Sequence, residues 1–436
     1  MAVRLFLQAH SKPKGFFGAK PQKSDILSHV RQAFEGALTD PLMKKFFLFD
    51  LQDDRMLLVF HPAEDPVEFS FGEGERLLCS AKTNSAGPGY HAFLVETLEK
   101  VAEECRLTWE WRDPEGGPGD ETGFPEHRNF AGVQERMLDW LRNLAGTVLE
   151  SYGSSQTKNL QISLPTDILI EGDYFAASPM GFWPVEWFEK VLIADAEGLI
   201  SLGSRFFPWW NKGIDGLFWK NCGLAMAWFD IPWHHPASDD EESKYRLVLE
   251  CFERARLLDG ALALPEEEIM EIRALLEKPA SERPAPPKPG LIGFKRGMVR
   301  QFLGGPWSIA LPGYFYTDSN REGTELIFWF GGRSVQASSI TAEPRPGDEL
   351  TAEAMLPEKD RLHPRCRETI DYRKNDLAGW AQVFPNEDQQ GGFVLQGYTA
   401  APGNLCIVSI CFDEGPDREW AVSTWQSIEK HSVHNR

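Results

Sequence analysis

Residues 279–290, PASERPAPPKPG, hold five prolines in twelve positions. A run of that kind has few amide donors and no apolar face to bury, so it is expected to be extended and solvated, neither helix nor inner strand. It splits the 436-residue chain into residues 1–278 and 291–436, and a chain of this length exceeds what one ordinary core serves. Two domains are therefore expected, with 279–290 as the linker.

The first part mixes periodicities. VRLFLQ (3–8) alternates as a strand does, and SDILSHVRQAFEGAL (24–38) places apolar residues at helical spacing behind a Ser24 cap. KKFFLFDL, RMLLVFH and VEFSF (44–71) read as three short strands of a meander. YHAFLVETLEKVAEECR (90–106) and NFAGVQERMLDWLRNLAGTVLE (129–150) read as helices, and LQISLPTDILI (160–170) as a strand entering a turn. PVEWFEKVLIA (184–194) is a helix with proline in its first turn, and 239–259 and 265–278 are two more. Strands and helices interleave without a βαβ rhythm, which favours α+β. The second part is strand-rich from WSIALPGYFYTD to NLCIVSICFD and closes on the amphipathic REWAVSTWQSIEKH (418–431). That order predicts an antiparallel sheet covered by a terminal helix.

Lys and Arg number 45 against 65 Asp and Glu, a formal net charge of −20. Repulsion of that sign disfavours nucleic acid and anionic membrane as direct ligands and favours basic partners. Acidity for solubility alone competes with that reading. No uninterrupted apolar run approaches a membrane span, and MAVRLFLQAHSKPKG (1–15) is no signal peptide, being broken by Gln8 and His10. Seven cysteines form no CxxC pair, and most lie in apolar runs such as LCIVSIC (405–411), as buried thiols do. A reducing, cytosolic setting is expected.

The densest feature is FFPWWNKGIDGLFWKNCGLAMAWFDIPWHH (206–235), with nine Phe or Trp residues, among them five of the fifteen tryptophans. Such rings are core material, but Asn211, Lys212, Gly213, Asp215 and Gly216 read as turn formers set between them. About two-thirds of the rings are expected inside and the rest half exposed, as anchors of a protein interface. Trp209, Trp210, Trp219 and Trp233 are the nominated anchors, beside Asp239, Asp240, Glu241 and Glu242. From Asp239 to Glu282 there are thirteen acidic and six basic residues, a rim suited to a basic partner.

Chemical motifs are weaker. SAKTNSAGPGYHAF (80–93) leads into a helix start where amides and the macrodipole favour an anion, with Lys82, Thr83, Ser85, Gly87 and Gly89 as its contacts. Neither GxxxxGK[ST] nor GxGxxG is present, so a glycine-rich turn competes. His234 and His235 are adjacent, which in a strand sends them to opposite sides, so no metal is expected. Asp120, Glu121, Glu126 and His127 combine carboxylates with a histidine, yet in a segment that reads as an exposed loop. Cys79 with His91 is the one hint of a Cys–His pair, against a strand cysteine facing the core. No catalytic signature and no cofactor motif emerges.

Two resemblances add to this. GPWSIALPGYFYTD (305–318) and CFDEGPDREWAVSTWQSI (411–428) resemble the two ends of Mog1/PsbP-like domains, in which a last helix with a W–S–I signature packs over a sheet. The likeness covers roughly 300–430 and implies a binding or assembly module. CSAKTNSAGPGYHAF (79–93), PVEWFEKV (184–191) and the Trp-rich run are similar to cytosolic immunity proteins of bacterial polymorphic toxin and type VI secretion systems. That likeness implies a cognate toxin as partner and assigns no residue a role. The leading expectation is a non-enzymatic inhibitor of a basic toxin, such as a nuclease, acting by occlusion and charge complementarity. Two alternatives stand: an enzyme or sensor binding a phosphorylated small molecule at 80–89, and a secretion adaptor or chaperone.

Overall fold

The computed structural model describes residues 3–11, 22–72, 76–113, 116–155, 159–165, 168–277, 284–320, 325–342, 350–359, 362–387, 391–413 and 417–431. The chain is α+β and forms two compact units. The first is Met1–Leu164, Asp173–Ile231 and Ser243–Met270; the second is Pro165–Gly172, Pro232–Glu242 and Glu271–Arg436. The second unit is thus discontinuous, taking two segments from ahead of the proline run. Within that run, 279–283 lie outside the described residues and 284–290 hold no helix or strand. No helix among the described residues is long and apolar enough to cross a membrane.

The first unit is built on a six-stranded antiparallel sheet ordered Leu48–Leu51, Arg55–Val59, Val67–Phe71, Leu77–Lys82, Arg4–Ser11, Leu107–Glu110. Strand alternation decides its faces: Leu5, Leu7 and Ala9 are buried, while Arg4 is exposed and Phe6 and Gln8 half-buried. Register then lines up one core row, Met56, Phe69, Cys79 and Leu7, across four strands. Phe34, on the helix Lys23–Ala37, packs on that face with its ring 5.2 Å from Phe60 and 5.6 Å from Phe69. The helix Pro88–Cys105 is fixed to the edge strand by Trp109 Nε1, which donates to the Leu98 carbonyl at 2.9 Å.

Two local expectations fail here for physical reasons. Lys44–Phe46 belong to the helix Pro41–Phe46, which starts on a proline and is capped by Asp40, whose carboxylate accepts from the amides of Leu42 and Met43. Only Leu48–Leu51 is strand. The helix expected to start on a Ser24 cap begins at Lys23, with Gln22 in the cap position making no side-chain bond, so Ser24 lies within the first turn.

The rest of this unit is helical. Phe130–Ser155, Val185–Ile193 and Ala196–Phe206 share a core of Met137, Leu141, Trp187, Phe188, Leu199 and Phe206, extended by Trp210. A small sheet of Leu160–Gln161, Ala176–Ser178 and Gly181–Trp183 borders it. The stretch 160–170, read as a strand entering a turn, holds two strands: Leu160–Gln161 stays here, whereas Ile168–Ile170 pairs with Met298–Phe302 in the second unit.

The second unit carries an antiparallel seven-stranded sheet ordered Tyr316–Ser319, Glu325–Phe330, Arg333–Thr341, Asn404–Asp413, Gly392–Ala401, Leu377–Pro385, Glu368–Lys374. A second sheet orders Glu429–Lys430, Trp307–Pro312, Met298–Phe302 and Ile168–Ile170. The terminal helix Asp417–Gln426 covers the large sheet as expected, but it stops short of 431: Glu429 and Lys430 pair as a strand with Ser308 and Trp307. Its fully buried Trp425 lies over two glycines: a β-carbon at Gly397 would stand 2.5 Å from Trp425 Cδ1, and one at Gly379 3.3 Å from Cζ2. Gly397→Ala is therefore expected to cost about 1–3 kcal/mol by overpacking. Urea denaturation of the full chain checks it, and a midpoint equal to the parent's would refute this seating of the helix.

Candidate functional site

The loop at 80–93 enters the helix Pro88–Cys105 as expected, but its polar groups face the protein's own side chains. Glu64 Oε2 accepts from the amides of Ser85 at 3.0 Å and Ala86 at 2.8 Å, and its Oε1 accepts from Asp65 N at 3.2 Å. The amides that could have held an anion are thus taken by the half-buried carboxyl group of Glu64. Burial drives the Glu64 carboxyl up to about 8, against the opposing pull of its amide donors. Lys82, exposed, pairs with Asp65 at 2.6 Å. Thr83 is buried, Gly87 adopts a φ of 112°, and Gly89 N donates to the Trp209 carbonyl at 2.9 Å. Of the five nominated contacts, only Lys82 reaches solvent; Thr83, Ser85, Gly87 and Gly89 are all buried.

A raised carboxyl pKa fixes the sign of a pH effect. Between the ordinary 4.5 and about 8, Glu64 is protonated only in the folded chain. Its contribution to stability is present below that window, falls as pH rises through it, and levels off above. Glu64→Gln is expected to remove this slope; denaturation midpoints of parent and variant compared across the window test it, and parallel curves would overturn it.

Beneath the loop lies a sealed hydroxyl–imidazole–carboxylate chain. Thr83 Oγ1 is 3.0 Å from His91 Nδ1, and His91 Nε2 is 3.3 Å from Asp120 Oδ2 and 3.1 Å from Thr122 Oγ1. Burial pushes the Asp120 carboxyl up, but His91 and the amide and hydroxyl of Thr122 outweigh it and leave the group below its usual range. The order resembles a nucleophile, base and orienting acid. Yet Thr83 and His91 are 0% exposed and Asp120 7%, so no substrate reaches the hydroxyl. Thr83 Oγ1 also donates to the Val3 carbonyl at 3.3 Å, and Asp120 accepts from the amides of Thr122 and Phe124, so the network ties the residue ahead of the first strand, the helix start and the 120–124 turn together.

This splits the acid–histidine cluster expected at 120–127. Asp120 is interior, whereas Glu121 pairs with Arg136 and Glu126 and His127 lie exposed. Cys79 is in the core row with its thiol pushed up by burial, and His91 takes other partners. A different Cys–His contact exists, invisible to spacing because 161 positions separate its members: Cys222 Sγ lies 3.4 Å from His61 Nε2. Burial lowers His61 to about 3 and raises the thiol, so both stay neutral and the pair is no activated nucleophile.

The aromatic run corrects the central expectation. Trp209, Trp210, Trp219 and Trp233 are 1%, 6%, 0% and 2% exposed, so none is a surface anchor. Seven of the nine rings are buried and two half-buried, but the latter are Trp228 and Phe229. The reason is local: Asp215, taken for a turn residue, caps the helix Gly216–Phe229 by accepting from Phe218 N, and the ordered helix carries Phe218 and Trp219 inward. The Trp209 ring packs at a tilt 4.3 Å from that of Phe218 and 5.0 Å from that of Phe93, while its Nε1 donates to the Gly213 carbonyl at 2.8 Å. Trp209 N donates to Ala86 O at 2.8 Å, so the two features singled out in the sequence are one latch.

In the second unit Trp233 holds a left-handed φ of 61° with Arg296 stacked 3.5 Å from its ring centre. Arg296 is held by both Glu271 oxygens at 2.9 Å. His234 is buried, stacked on Tyr316 at 3.9 Å and 3.4 Å from Glu241. Asp239 and Asp240 are exposed on the first turn of their helix; Glu241 and Glu242 are half-buried. Among the described residues no group of three or more His, Cys, Asp or Glu is placed to hold a metal ion. A cavity of about 240 Å³ opens on the face of the first sheet opposite its core row, lined by Arg4, Phe6, Asp65, Glu68, Ser80 and Lys82.

No family model matches the chain, and no curated protein sequence does. Among solved structures it is similar to a crystal structure from Bacteroides thetaiotaomicron, at 12% identity and a TM-score of 0.24, over 31% of this chain and 48% of that one. The chain thus spans about half of that protein. It is also similar to the solution structure of cyanobacterial PsbP (CyanoP) from Synechocystis sp. PCC 6803, at 12% identity and a TM-score of 0.22, over 29% of this chain and 87% of that one.

Proposed function

We propose that the chain is a non-catalytic binding protein that captures and blocks a basic protein, a cognate bacterial toxin, in the manner of an immunity protein. The observation that carries this reading is where the charge goes. The loop suited to an anion is filled internally by Glu64, while exposed carboxylates such as Asp239 and Asp240 belong to a chain with 65 acidic and 45 basic residues. A surface of that sign accelerates encounter with a cationic partner and orients it. The buried tryptophans contribute rigidity, not contact.

The test is calorimetric titration with a basic protein encoded beside this gene, together with protection of cells expressing that protein. One-to-one binding that weakens as salt rises, with protection, is the expected result. Absence of both binding and protection would remove the reading.

A second reading places a small phosphorylated ligand in the cavity that Arg4, Lys82 and Ser80 line together with Asp65 and Glu68: the phosphate would bind the cations and the hydroxyl, displacing Asp65 from Lys82. Thermal-shift screening with nucleotides and sugar phosphates tests it, and a shift that Lys82→Ala leaves intact would refute it.

A further inference from the structure

The cavity on the first sheet is built from two rows of one face. Arg4 pairs in register with Lys82; two residues along the same strands Phe6 pairs with Ser80, which pairs in turn with Glu68. Alternation puts these five side chains on the face away from the core row of Leu7, Cys79 and Phe69. The rows stand about 7 Å apart, two strand residues at roughly 3.4 Å each. One row is cationic, and the other ends in a carboxylate. With Asp65 at the cationic end, they line a cavity of about 240 Å³. That is below the roughly 300–1,000 Å³ of sites for drug-sized molecules, so the ligand it fits is small.

The lining carries both signs. Arg4 and Lys82 supply two cations, Asp65 and Glu68 two carboxylates. Lys82 Nζ lies 2.6 Å from Asp65 Oδ2, and Arg55 Nε lies 2.9 Å from Glu68 Oε1. Arg4, exposed, has no ion-pair partner among the described residues. Both pairs are open to solvent, which makes them weak and readily exchanged. A phosphate seated on Arg4 and Lys82 removes the partner of Asp65 and stands beside that carboxylate, with Glu68 one row further on. A phosphate alone therefore meets like charge along one side. A ligand with its own amine does not: its phosphate takes the cationic row, and its ammonium faces Asp65 and Glu68. The Ser80 hydroxyl is placed to donate to the phosphate, and the half-buried Phe6 ring to cover the carbons between the two charges.

We propose that this cavity binds a small zwitterion, an aminoalkyl phosphate whose phosphate and amine are joined by a short carbon link. The proposal rests on the second reading above, a phosphorylated ligand held by Arg4 and Lys82, and names the other half of that ligand.

Calorimetric titration of the full chain compares phosphoethanolamine with ethyl phosphate, which lacks the amine. Phosphoethanolamine is expected to bind about tenfold tighter. Asp65→Asn with Glu68→Gln should bring the two affinities together, and Arg4→Gln with Lys82→Gln should weaken both by about tenfold or more. All four side chains are exposed or half-buried, so the denaturation midpoints of both variants should match the parent's. Vesicles of phosphatidylethanolamine separate the sources: competition with the free compound assigns the site to a lipid headgroup, its absence to a soluble ligand, and both uphold the zwitterion. Ethyl phosphate or a sugar phosphate binding as tightly as phosphoethanolamine would overturn the zwitterion and keep the phosphate reading. A preference for the amine that survives Asp65→Asn with Glu68→Gln would also overturn it. No binding by any of these compounds would remove the proposal and the second reading together.

Discussion

A single methyl group at position 89 is expected to lower stability by about 3 kcal/mol. A β-carbon there would stand 2.1 Å from Trp209 Cδ1 and 2.3 Å from the Asn211 carbonyl oxygen. The second neighbour is backbone and cannot turn aside. Gly89 also donates to the Trp209 carbonyl, so relieving the clash means loosening the latch. Gly146→Ala is the matched control: it lies in the helix Phe130–Ser155 with nothing within 4 Å of an added β-carbon. There alanine should be neutral or stabilising by up to about 1 kcal/mol. Urea denaturation of both variants decides the matter, and coincident midpoints would show that 209–211 do not press on the helix start. Had Gly89 served an anion instead, the substitution would cost ligand affinity with little loss of stability.

Trp209→Ala is expected to be costlier still, about 3–5 kcal/mol, as for other large rings removed from a packed interior. The side chain is 1% exposed, packs between Phe218 and Phe93, and donates to Gly213. Trp228→Ala, at a half-buried ring, should cost clearly less. Thermal unfolding of the two variants separates the roles: a surface anchor would leave the midpoint in place and weaken only the complex. A Trp209→Ala chain as stable as its parent would restore the interface first expected of this ring.

What the sequence discloses follows from which forces are local. Strand alternation in 3–8 and helical spacing in 90–106 are set by burial of one face, so those elements were readable. Caps and turns were less so, because the same residue serves both: Asp215 looks like a loop former and is a helix cap, and Asp40 with Pro41 turns an apparent strand into a helix. Composition gave the proportion of buried rings in 206–235 but not their identities, which depend on a helix whose apolar residues surround it. The polar chain Thr83–His91–Asp120 joins positions 8 and 29 apart, and only the fold brings them together. Glu64 was overlooked altogether; a carboxylate opposite a glycine-rich loop leaves no mark in spacing.

The short strand Ile168–Ile170 has a consequence for how this protein is made. It pairs with Met298–Phe302, and Glu171 beside it supplies a carboxylate oxygen 2.6 Å from the guanidinium of Arg300, whose side chain is 9% exposed. On the ribosome that strand must wait, unmatched, until the chain has grown past the prolines. A fragment cut at the proline run would never receive it, leaving a raw sheet edge and Arg300 with Glu429, 3.4 Å away, in place of two carboxylates. Such a fragment is expected to aggregate, and adding residues 165–172 in trans should rescue it.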